Sequence, residues 1–334
     1  DHLYVYPEGQ GNDFIDIEIN AAKEMGIRFH PTRGSMSLGE SNGGLPPDSV
    51  IQSDKEILKE SERVIDKYHD LSEFSMCRIV LAPCSPFSVT EDIMIESQEL
   101  AREKGVYLHT HLAETKDEEE FCLAQKGMRP LAYMEKVGWV GSDVWFAHCV
   151  HVDDVEIKKL AETSTGVSHC PTSNLRLGSG IAPVRKMLDC GVNVSLAVDG
   201  SASNDTSDML GELRMAMLSA RYMSGVESMG AQDVLYMGTR GGAKVLGRND
   251  IGSLEEGKAA DIAIFNMDRL DYAGTESDYL GALVFSGASH FADTVIVNGK
   301  IRVKNSILVD VDTHELIKQA NEISKELRKK ANVE

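Results

Sequence analysis

The sequence predicts an α/β fold built on a parallel sheet, because short apolar runs of β-type composition alternate with longer stretches of helical periodicity. The helical stretches are long enough to connect parallel strands as crossovers. A length of 334 residues allows about two domains, or one large barrel with an appendage. A hydrophobic content of 42% with 26% charged residues is typical of a globular chain and excludes a disordered one.

Seven apolar runs are predicted as strands. They cover residues 3–6, 27–32, 77–82, 106–111, 144–150, 166–169 and 192–198. No run carries a sheet-edge signal, and the first run begins almost at residue 1. We therefore expect a (β/α)8 barrel whose first strand precedes Asp1.

Amphipathic stretches between these runs are predicted as helices. They cover residues 54–68, 91–104, 116–137, 153–163 and 184–191. A methionine-rich helix at 207–224 and another at 231–246 follow the seventh run. Within the last helix, the segment Arg240-Gly-Gly-Ala243 indicates bending or close approach to another helix.

The composition becomes rich in turn and β residues after residue 251. Asn298-Gly299 lies between two alternating runs and is a strong hairpin signal. We expect a barrel over residues 1–251, a small β domain with a sandwich architecture over 252–309, and a C-terminal segment over 310–334. A charged helix at 314–330 in that segment is docked or solvated at the surface.

The charge balance limits the partners. Lys and Arg total 34 and Asp and Glu total 53, which gives a formal charge of −19 without a long basic run. Such a chain repels phosphate backbones and anionic membranes, so we expect no nucleic acid or membrane partner. Six cysteines without a CxxC pair, no apolar stretch near 18 residues and no signal peptide at the first residues favour a reduced, cytoplasmic protein.

Candidate functional groups follow the strands, at the end where barrel enzymes carry their active sites. His109 and His111 are two residues apart in one strand, so both side chains point to the same face, and Glu114 stands just past it. Taken alone, these residues could equally be strand fillers and a surface glutamate. His148 ends the next apolar run and Asp199 ends the last one.

His148 and Asp199 each have a common structural interpretation. A lone histidine in an apolar strand is more often part of the core, and Asp199-Gly200 is ordinarily a turn. The coincidence of His, His and Asp at equivalent ends of three strands favours a shared site instead. Imidazole and carboxylate groups suit a catalytic divalent metal, although two ligands alone make an incomplete site.

Five motifs carry a resemblance to a known family: His111-Leu-Ala-Glu114, Ala147-His148-Cys149-Val150-His151, His169-Cys-Pro-Thr-Ser-Asn174-Leu-Arg-Leu-Gly178, Val198-Asp199-Gly-Ser and Gly257-Lys-Ala-Ala-Asp261. Over essentially the whole chain they resemble the amidohydrolase superfamily, in the branch of guanine, cytosine and S-adenosylhomocysteine deaminases and triazine hydrolases. The segments at 33–39, 43–48 and 82–87 are most similar to members that act on 8-oxoguanine.

The resemblance implies specific roles. His111 and Asp199 match metal ligands, Glu114 matches the proton-shuttling glutamate, and His148 matches the histidine that contacts the hydrolytic water or the substrate. His109 has no fixed role and is as well explained by structural support as by substrate contact. The family's H-x-H at the end of the first strand is missing, in agreement with a first strand upstream of Asp1.

The resemblance also implies a cofactor and a reaction. Residues 78–84 contain no lysine that could bridge two metals, so one divalent metal is expected, zinc or alternatively iron. The implied reaction is hydrolytic deamination of a heterocycle, with 8-oxoguanine giving urate and ammonia. Loops 33–47, 84–87 and 174–180 are expected to contact the ring, with Arg33 as a substrate contact. Arg176 either reaches a ring carbonyl or pairs with a carboxylate.

Three alternatives remain open at this stage. The substrate could be guanine, isoguanine, cytosine or a triazine, because one fold and one metal site serve many substrates. The chain could instead be a metal-free binding protein that uses the barrel mouth as a pocket. Finally, the methionine stripe at 209–223 could form a homo-oligomer interface, although such a stripe more often belongs to the core.

Overall fold

The computed structural model describes residues 1–7, 9, 11–286 and 290–332 of the chain. Seven parallel strands form one sheet in chain order, which confirms the number and direction of the predicted strands. The strands are β1 (His2–Leu3), β2 (Thr32–Ser35), β3 (Val80–Pro83), β4 (Tyr107–Leu112), β5 (Val144–His148), β6 (Gly166–His169) and β7 (Val194–Leu196). In the second run, residues 27–31 form only one bridge to the neighbouring strand, so β2 begins five residues later than predicted.

Helices lie between the strands of the parallel sheet, and further helices follow its last strand. They are α1 (Phe14–Met25), α2 (Asp54–Tyr68), α3 (Glu91–Lys104), α4 (Lys116–Lys126), α5 (Pro130–Lys136), α6 (Asp154–Thr163), α7 (Pro171–Arg176), α8 (Val184–Asp189), α9 (Met209–Ser224), α10 (Ala231–Tyr236), α11 (Gly242–Val245), α12 (Tyr279–Phe285) and α13 (Thr313–Lys330). Short 3-10 turns occur at Glu40–Asn42, Asp48–Val50 and Leu270–Tyr272. No helix among the described residues combines the length and apolarity needed to cross a bilayer.

Local capping explains which helix bounds were predictable. The α2 and α3 ranges agree with the prediction, and each begins after a residue, Ser53 or Thr90, whose hydroxyl accepts a backbone N–H of the first turn. The single helix predicted at 116–137 is wrong. Gly127 ends α4 in the left-handed conformation at φ 72°, and Pro130 starts α5 as its first residue.

The parallel sheet is curled. The ring of His2 on β1 lies 4.8 Å from that of His109 and 4.6 Å from that of His111, both on β4. Three strand spacings of a flat sheet would separate these strands by roughly 14 Å. The side chains of β1 and β4 therefore meet on the concave face. Within the described residues, β1 and β7 are the two ends of the sheet.

Both faces of this sheet are buried. Leu81 and Leu108 belong to the main apolar cluster formed with the surrounding helices. Val80 and Trp145 point the other way and pack with Val245 from α11 inside the curl. Burial on both faces explains why the strands read as continuous apolar runs in the sequence.

The helix predicted at 231–246 is divided into two, and its close approach differs from the prediction. Met237–Gly241 forms a π turn between α10 and α11. A Cβ on Gly241 would lie 2.3 Å from the carbonyl oxygen of Val194, so the helix approaches strand β7 rather than another helix.

A small antiparallel sheet follows the helical region. Its order is β11 (Ile307–Leu308), β10 (Lys300–Lys304), β9 (Thr294–Val297) and β8 (Ile262–Ile264). The predicted hairpin joins β9 to β10, with Asn298 and Gly299 both at positive φ. Arg28 contacts Asp261 through an ion pair with an Nε to Oδ2 distance of 2.6 Å, which links the start of this sheet to the segment before β2.

Among the described residues, only one sheet of the predicted β-sandwich is observed. The described strands of residues 252–309 form one layer, and residues 287–289 of this range lie outside the described part. The charged helix α13 has no buried residue, which confirms the solvated alternative. The methionine-rich helix α9 has both buried and exposed methionines, since Met217 is buried while Met223 is 56% exposed.

We expect Gly241→Ala to destabilise the fold, because its new Cβ would overlap the backbone of β7. The expected loss is about 1–3 kcal/mol in the free energy of unfolding, measured by urea denaturation. Gly242→Ala is the matched control, because its Cβ would meet only the Met237 oxygen at 3.9 Å. This control should be neutral or slightly stabilising. Equal stability of the two variants would contradict the close approach.

Candidate active site

The predicted site residues lie at one rim of the curled sheet. His111 is near the end of β4, His148 ends β5, and Asp199 follows β7 by three residues. Because the strands are parallel, these ends share one side of the sheet. The rings of His111 and His148 are 5.4 Å apart, and Asp199 acts electrostatically on both imidazoles. The structure thus brings together residues that are far apart in sequence.

The chain leaves these strands in a strained conformation. Ala113 after β4, His148 on β5 and Asp199 after β7 have φ values of 51°, 70° and 64°. Non-glycine residues rarely adopt this left-handed region, at a cost of order 1–3 kcal/mol each. Such strain clusters at functional sites, so the backbone independently marks the same rim.

His111 is oriented by the neighbouring loop. Its Nδ1 lies 2.7 Å from the carbonyl oxygen of Cys84, so Nδ1 carries the donated proton and Nε2 keeps its lone pair. Burial lowers the pKa of His111, and the adjacent His148 lowers it further. A neutral imidazole with one free nitrogen is the form that ligates a metal.

His148 and Glu114 form the next pair. Nδ1 of His148 lies 2.8 Å from Oδ1 of Asn174, and its Nε2 lies 3.7 Å from Oε2 of Glu114. Burial lowers the pKa of His148, so the ring is neutral near pH 7. With Nδ1 donating to Asn174, Nε2 presents a lone pair toward the Glu114 carboxyl.

The two carboxyl groups of the site have opposite pKa shifts. Burial raises the pKa of Glu114, where His111 opposes the effect and Asp199 adds to it. Burial would also raise the pKa of Asp199, but hydrogen bonds from Ser173 and from the backbone of Gly200 help to hold it below its usual value. Ser173 and Ser203 both donate to Oδ2 of Asp199. Divergent pKa values in one site favour protonation of one carboxyl and ionisation of the other.

His111 and Asp199 are the two predicted metal ligands. His111 offers Nε2 and Asp199 offers a carboxylate that stays ionised, which is the donor chemistry of zinc and iron sites. Among the residues that the structure describes, no group of three or more His, Cys, Asp or Glu side chains is arranged to hold a metal. The two donors therefore have the right chemistry, and a catalytic metal requires at least one more protein ligand.

A second layer of rings supports the rim from inside the curl. His109 stacks on Trp145 with ring centroids 5.0 Å apart, and its Nδ1 contacts the Trp145 carbonyl oxygen at 3.2 Å. This favours structural support for His109. His2 and Tyr4 also face His111, at 4.6 and 5.6 Å between ring centroids. Neither was among the predicted site residues, because the first run carried no recognisable spacing.

The two predicted substrate contacts are engaged by protein groups. Arg33 is 1% exposed, donates to Oε1 of Gln52 at 2.9 Å and covers the Tyr6 ring at 3.8 Å. Arg176 forms an ion pair with Asp205 at the surface. Pairing with a carboxylate was one of the two predictions for Arg176. Asn174, by contrast, contacts His148 directly.

Comparison with known proteins identifies the family. The model of the amidohydrolase family matches residues 6–302. The chain belongs to the amidohydrolase family. It is 46% identical over 317 residues to the 8-oxoguanine deaminase of Pseudomonas aeruginosa, covering 95% of this chain and 70% of that protein. It is 36% identical to an isoxanthopterin deaminase from an unknown prokaryotic organism, over 98% of this chain and 71% of the relative.

Solved structures of this family have the same fold. Atrazine chlorohydrolase from Arthrobacter aurescens, solved in complex with zinc, superposes with a TM-score of 0.93 at 36% identity, covering 96% of this chain and 71% of that one. An adenosine deaminase from Xanthomonas campestris with bound zinc gives a TM-score of 0.87 at 28% identity, with the same coverage. This amidohydrolase is a hydrolytic deaminase, and its family indicates a divalent metal.

We expect Asn174→Asp to raise the pKa of His148, because a carboxylate beside Nδ1 stabilises the imidazolium. A pH titration followed by NMR of ¹⁵N-labelled histidine measures the change. Asn321→Asp, which adds the same charge on the exposed helix α13, is the control. An unchanged His148 titration would show that Asn174 does not set the state of this ring.

Proposed function

We propose that this amidohydrolase deaminates 8-oxoguanine to urate and ammonia. The observation that carries the reaction type is the convergence of Glu114, His148 and Asp199 at one rim, with the two carboxyl groups shifted in opposite directions. The substrate is supported by the 46% identity to the Pseudomonas aeruginosa 8-oxoguanine deaminase. Water replaces the amino group at C2 of the ring.

Glu114 is proposed as the proton carrier. Burial raises its pKa, so the carboxyl holds a proton more readily than an exposed glutamate does. It delivers that proton to the ring nitrogen beside C2, which keeps it in the product. The carboxylate left behind takes the proton of the new hydroxyl group on C2 and passes it to the amine, so that ammonia leaves as the C2=O bond forms. The proton that Asp199 has taken from the water then returns Glu114 to its protonated form. Ser179 lies 3.5 Å from Oε1 and limits how the carboxyl turns.

His148 and Asp199 are proposed to act on the attacking water and the charge that develops. Neutral His148, oriented through Asn174, stands where it can orient the water or stabilise the tetrahedral centre. Ionised Asp199 can accept the proton that the water loses as it attacks the ring. The hydroxyl groups of Ser173 and Ser203 keep the Asp199 carboxylate in place during this transfer.

His111 and Asp199 are proposed to hold one divalent metal, zinc with iron as the alternative, together with at least one further ligand. Such an ion lowers the pKa of a coordinated water to about 7 and so supplies a nucleophile at neutral pH. The carbonyl oxygen of Cys84 fixes the His111 ring for this task through Nδ1.

A second substrate class has its own support. The isoxanthopterin deaminase relative and a hydroxydechloroatrazine ethylaminohydrolase from Pseudomonas sp. are each 36% identical to this chain. A pteridine or triazine is therefore the alternative to 8-oxoguanine, together with guanine, isoguanine and cytosine. Arg33 and Arg176 remain proposed substrate contacts. Arg176 would have to exchange Asp205 for a ring carbonyl.

The finer architecture is proposed along with the function. We propose that the curled sheet is part of a (β/α)8 barrel over residues 1–251, followed by a small β-sandwich domain over 252–309 and a C-terminal helical segment over 310–334. All six cysteines are unpaired, which supports a cytoplasmic location. A small-molecule heterocycle is the proposed partner, and a homo-oligomer through α9 remains a hypothesis.

Glu114→Gln and His111→Ala should separate proton transfer from metal binding. We expect Glu114→Gln to lower kcat by about 10²–10⁴-fold with unchanged metal content, because it removes only the proton carrier. His111→Ala should instead deplete the metal. Steady-state kinetics and elemental analysis of both proteins measure this. Turnover that survives in Glu114→Gln, or metal lost from it, would remove Glu114 from the proposed role.

A panel of heterocycles with ammonia detection tests the substrate. We expect 8-oxoguanine to give the highest kcat/KM among 8-oxoguanine, guanine, isoguanine, cytosine, isoxanthopterin and an amino-triazine. A higher value for another member would move the assignment to that substrate. Release of no ammonia from any of them by metal-loaded protein would favour the metal-free binding alternative.

A further inference from the structure

Two glutamates outside the rim are buried as carboxyl groups without a cation. Glu118 on α4 and Glu212 on α9 are each 1% exposed. Within the described part of the chain, neither has a Lys or Arg ion-pair partner. Removing a carboxylate from water costs several kcal/mol unless other groups compensate. Their position therefore needs a reason, and the proposed chemistry does not use them.

Glu118 holds the turn that carries Glu114. Its Oε1 accepts the backbone N–H of Ala113 at 2.8 Å, and its Oε2 accepts that of Glu114 at 3.0 Å. An ordinary capping glutamate would reach the N–H of the N-cap residue, here Thr115. Glu118 instead reaches past it to two consecutive amides, one of them on the left-handed Ala113. These two bonds fix the peptide planes on both sides of Ala113.

Glu212 joins the two other site loops. Its Oε2 accepts the backbone N–H of Thr172, next to Ser173, and its Oε1 accepts Nδ2 of Asn204 at 2.8 Å. The same Nδ2 donates to the carbonyl oxygen of Val198, the residue before Asp199. One carboxyl group thus ties helix α7 after β6, which supplies Ser173 and Asn174, to the loop after β7.

We propose that Glu118 and Glu212 are positioning residues of the reaction, which hold the backbones that carry Glu114 and Asp199 in their strained orientation. The proposal rests on the proposed function for its kinetic consequence. Left-handed turns at non-glycine residues persist only where the surroundings over-determine them. A carboxyl group offers two acceptor oxygens on one planar unit, so it can receive two N–H donors at once, and this explains why glutamates occupy these two sites.

Glu118→Gln and Glu212→Gln test the proposal, with Glu120→Gln as the matched control on the exposed face of α4. In each test variant an amide NH2 replaces one acceptor and faces an N–H donor. We expect kcat to fall about 10–100-fold with KM within about twofold and unchanged metal content. The control should match the wild type. If activity falls only in proportion to the fraction of folded protein, and kcat per folded molecule is normal, both residues have only a structural role.

Hydrogen exchange provides a readout that needs no substrate. We expect the amides of Ala113 and Glu114 to lose protection in Glu118→Gln and to keep it in the control. If the wild type deaminates no heterocycle, the proposed function fails, while the exchange result still decides whether Glu118 holds the turn. If Glu212→Gln does not fold, Asn204→Ala takes its place, because it removes the amide donor between Glu212 and Val198. This variant should lower kcat without changing KM. Unchanged exchange and unchanged kcat would overturn the proposal.

Discussion

The site depends on the curl of the parallel sheet. Strands adjacent in the chain are adjacent in the sheet, so β1, β4, β5 and β7 would be spread across the width of a flat sheet. Curling places their carboxyl ends around one space. There Asp199, after β7, helps to raise the pKa of Tyr4, after β1, and of Glu114, after β4. Burial there lowers the pKa values of His111 and His148 and raises that of Glu114. The fold therefore determines both the position and the protonation of the site.

Burial acts in opposite ways on acids and bases, and the site uses both. The imidazoles of His111 and His148 are held neutral, so one can ligate a metal and the other can accept a hydrogen bond at Nε2. The Glu114 carboxyl is pushed toward its protonated form, while hydroxyl donors keep Asp199 ionised. Two neighbouring carboxyl groups that are partly buried could not both be ionised at low cost, so the opposite pKa shifts also limit their repulsion.

Local signals made part of this structure predictable. Capping hydroxyls and terminal glycines are visible in the sequence, which is why the bounds of α2 and α3 were predicted correctly. His111, Glu114, His148 and Asp199 were predictable because parallel strands place their ends together and because the motifs resemble a known family. Their individual roles remain predictions. The break at Gly127 and the approach of Gly241 to β7 required knowledge of neighbours that the local sequence does not show.

Two of the residues that sequence reasoning missed, Glu118 and Glu212, share one physical property. Glu118 and Glu212 act on backbone amides or on another side chain's amide, and a backbone amide carries no signature of residue type. A carboxylate that binds a cation leaves a complementary charge in the sequence, whereas one that binds N–H groups does not. Both glutamates lie in the first turn of a helix, where an acidic residue is ordinarily attributed to the helix dipole. Both glutamates are buried without a cation, and only the three-dimensional structure shows this. Such burial distinguishes a residue that supports strained site segments from an ordinary capping residue.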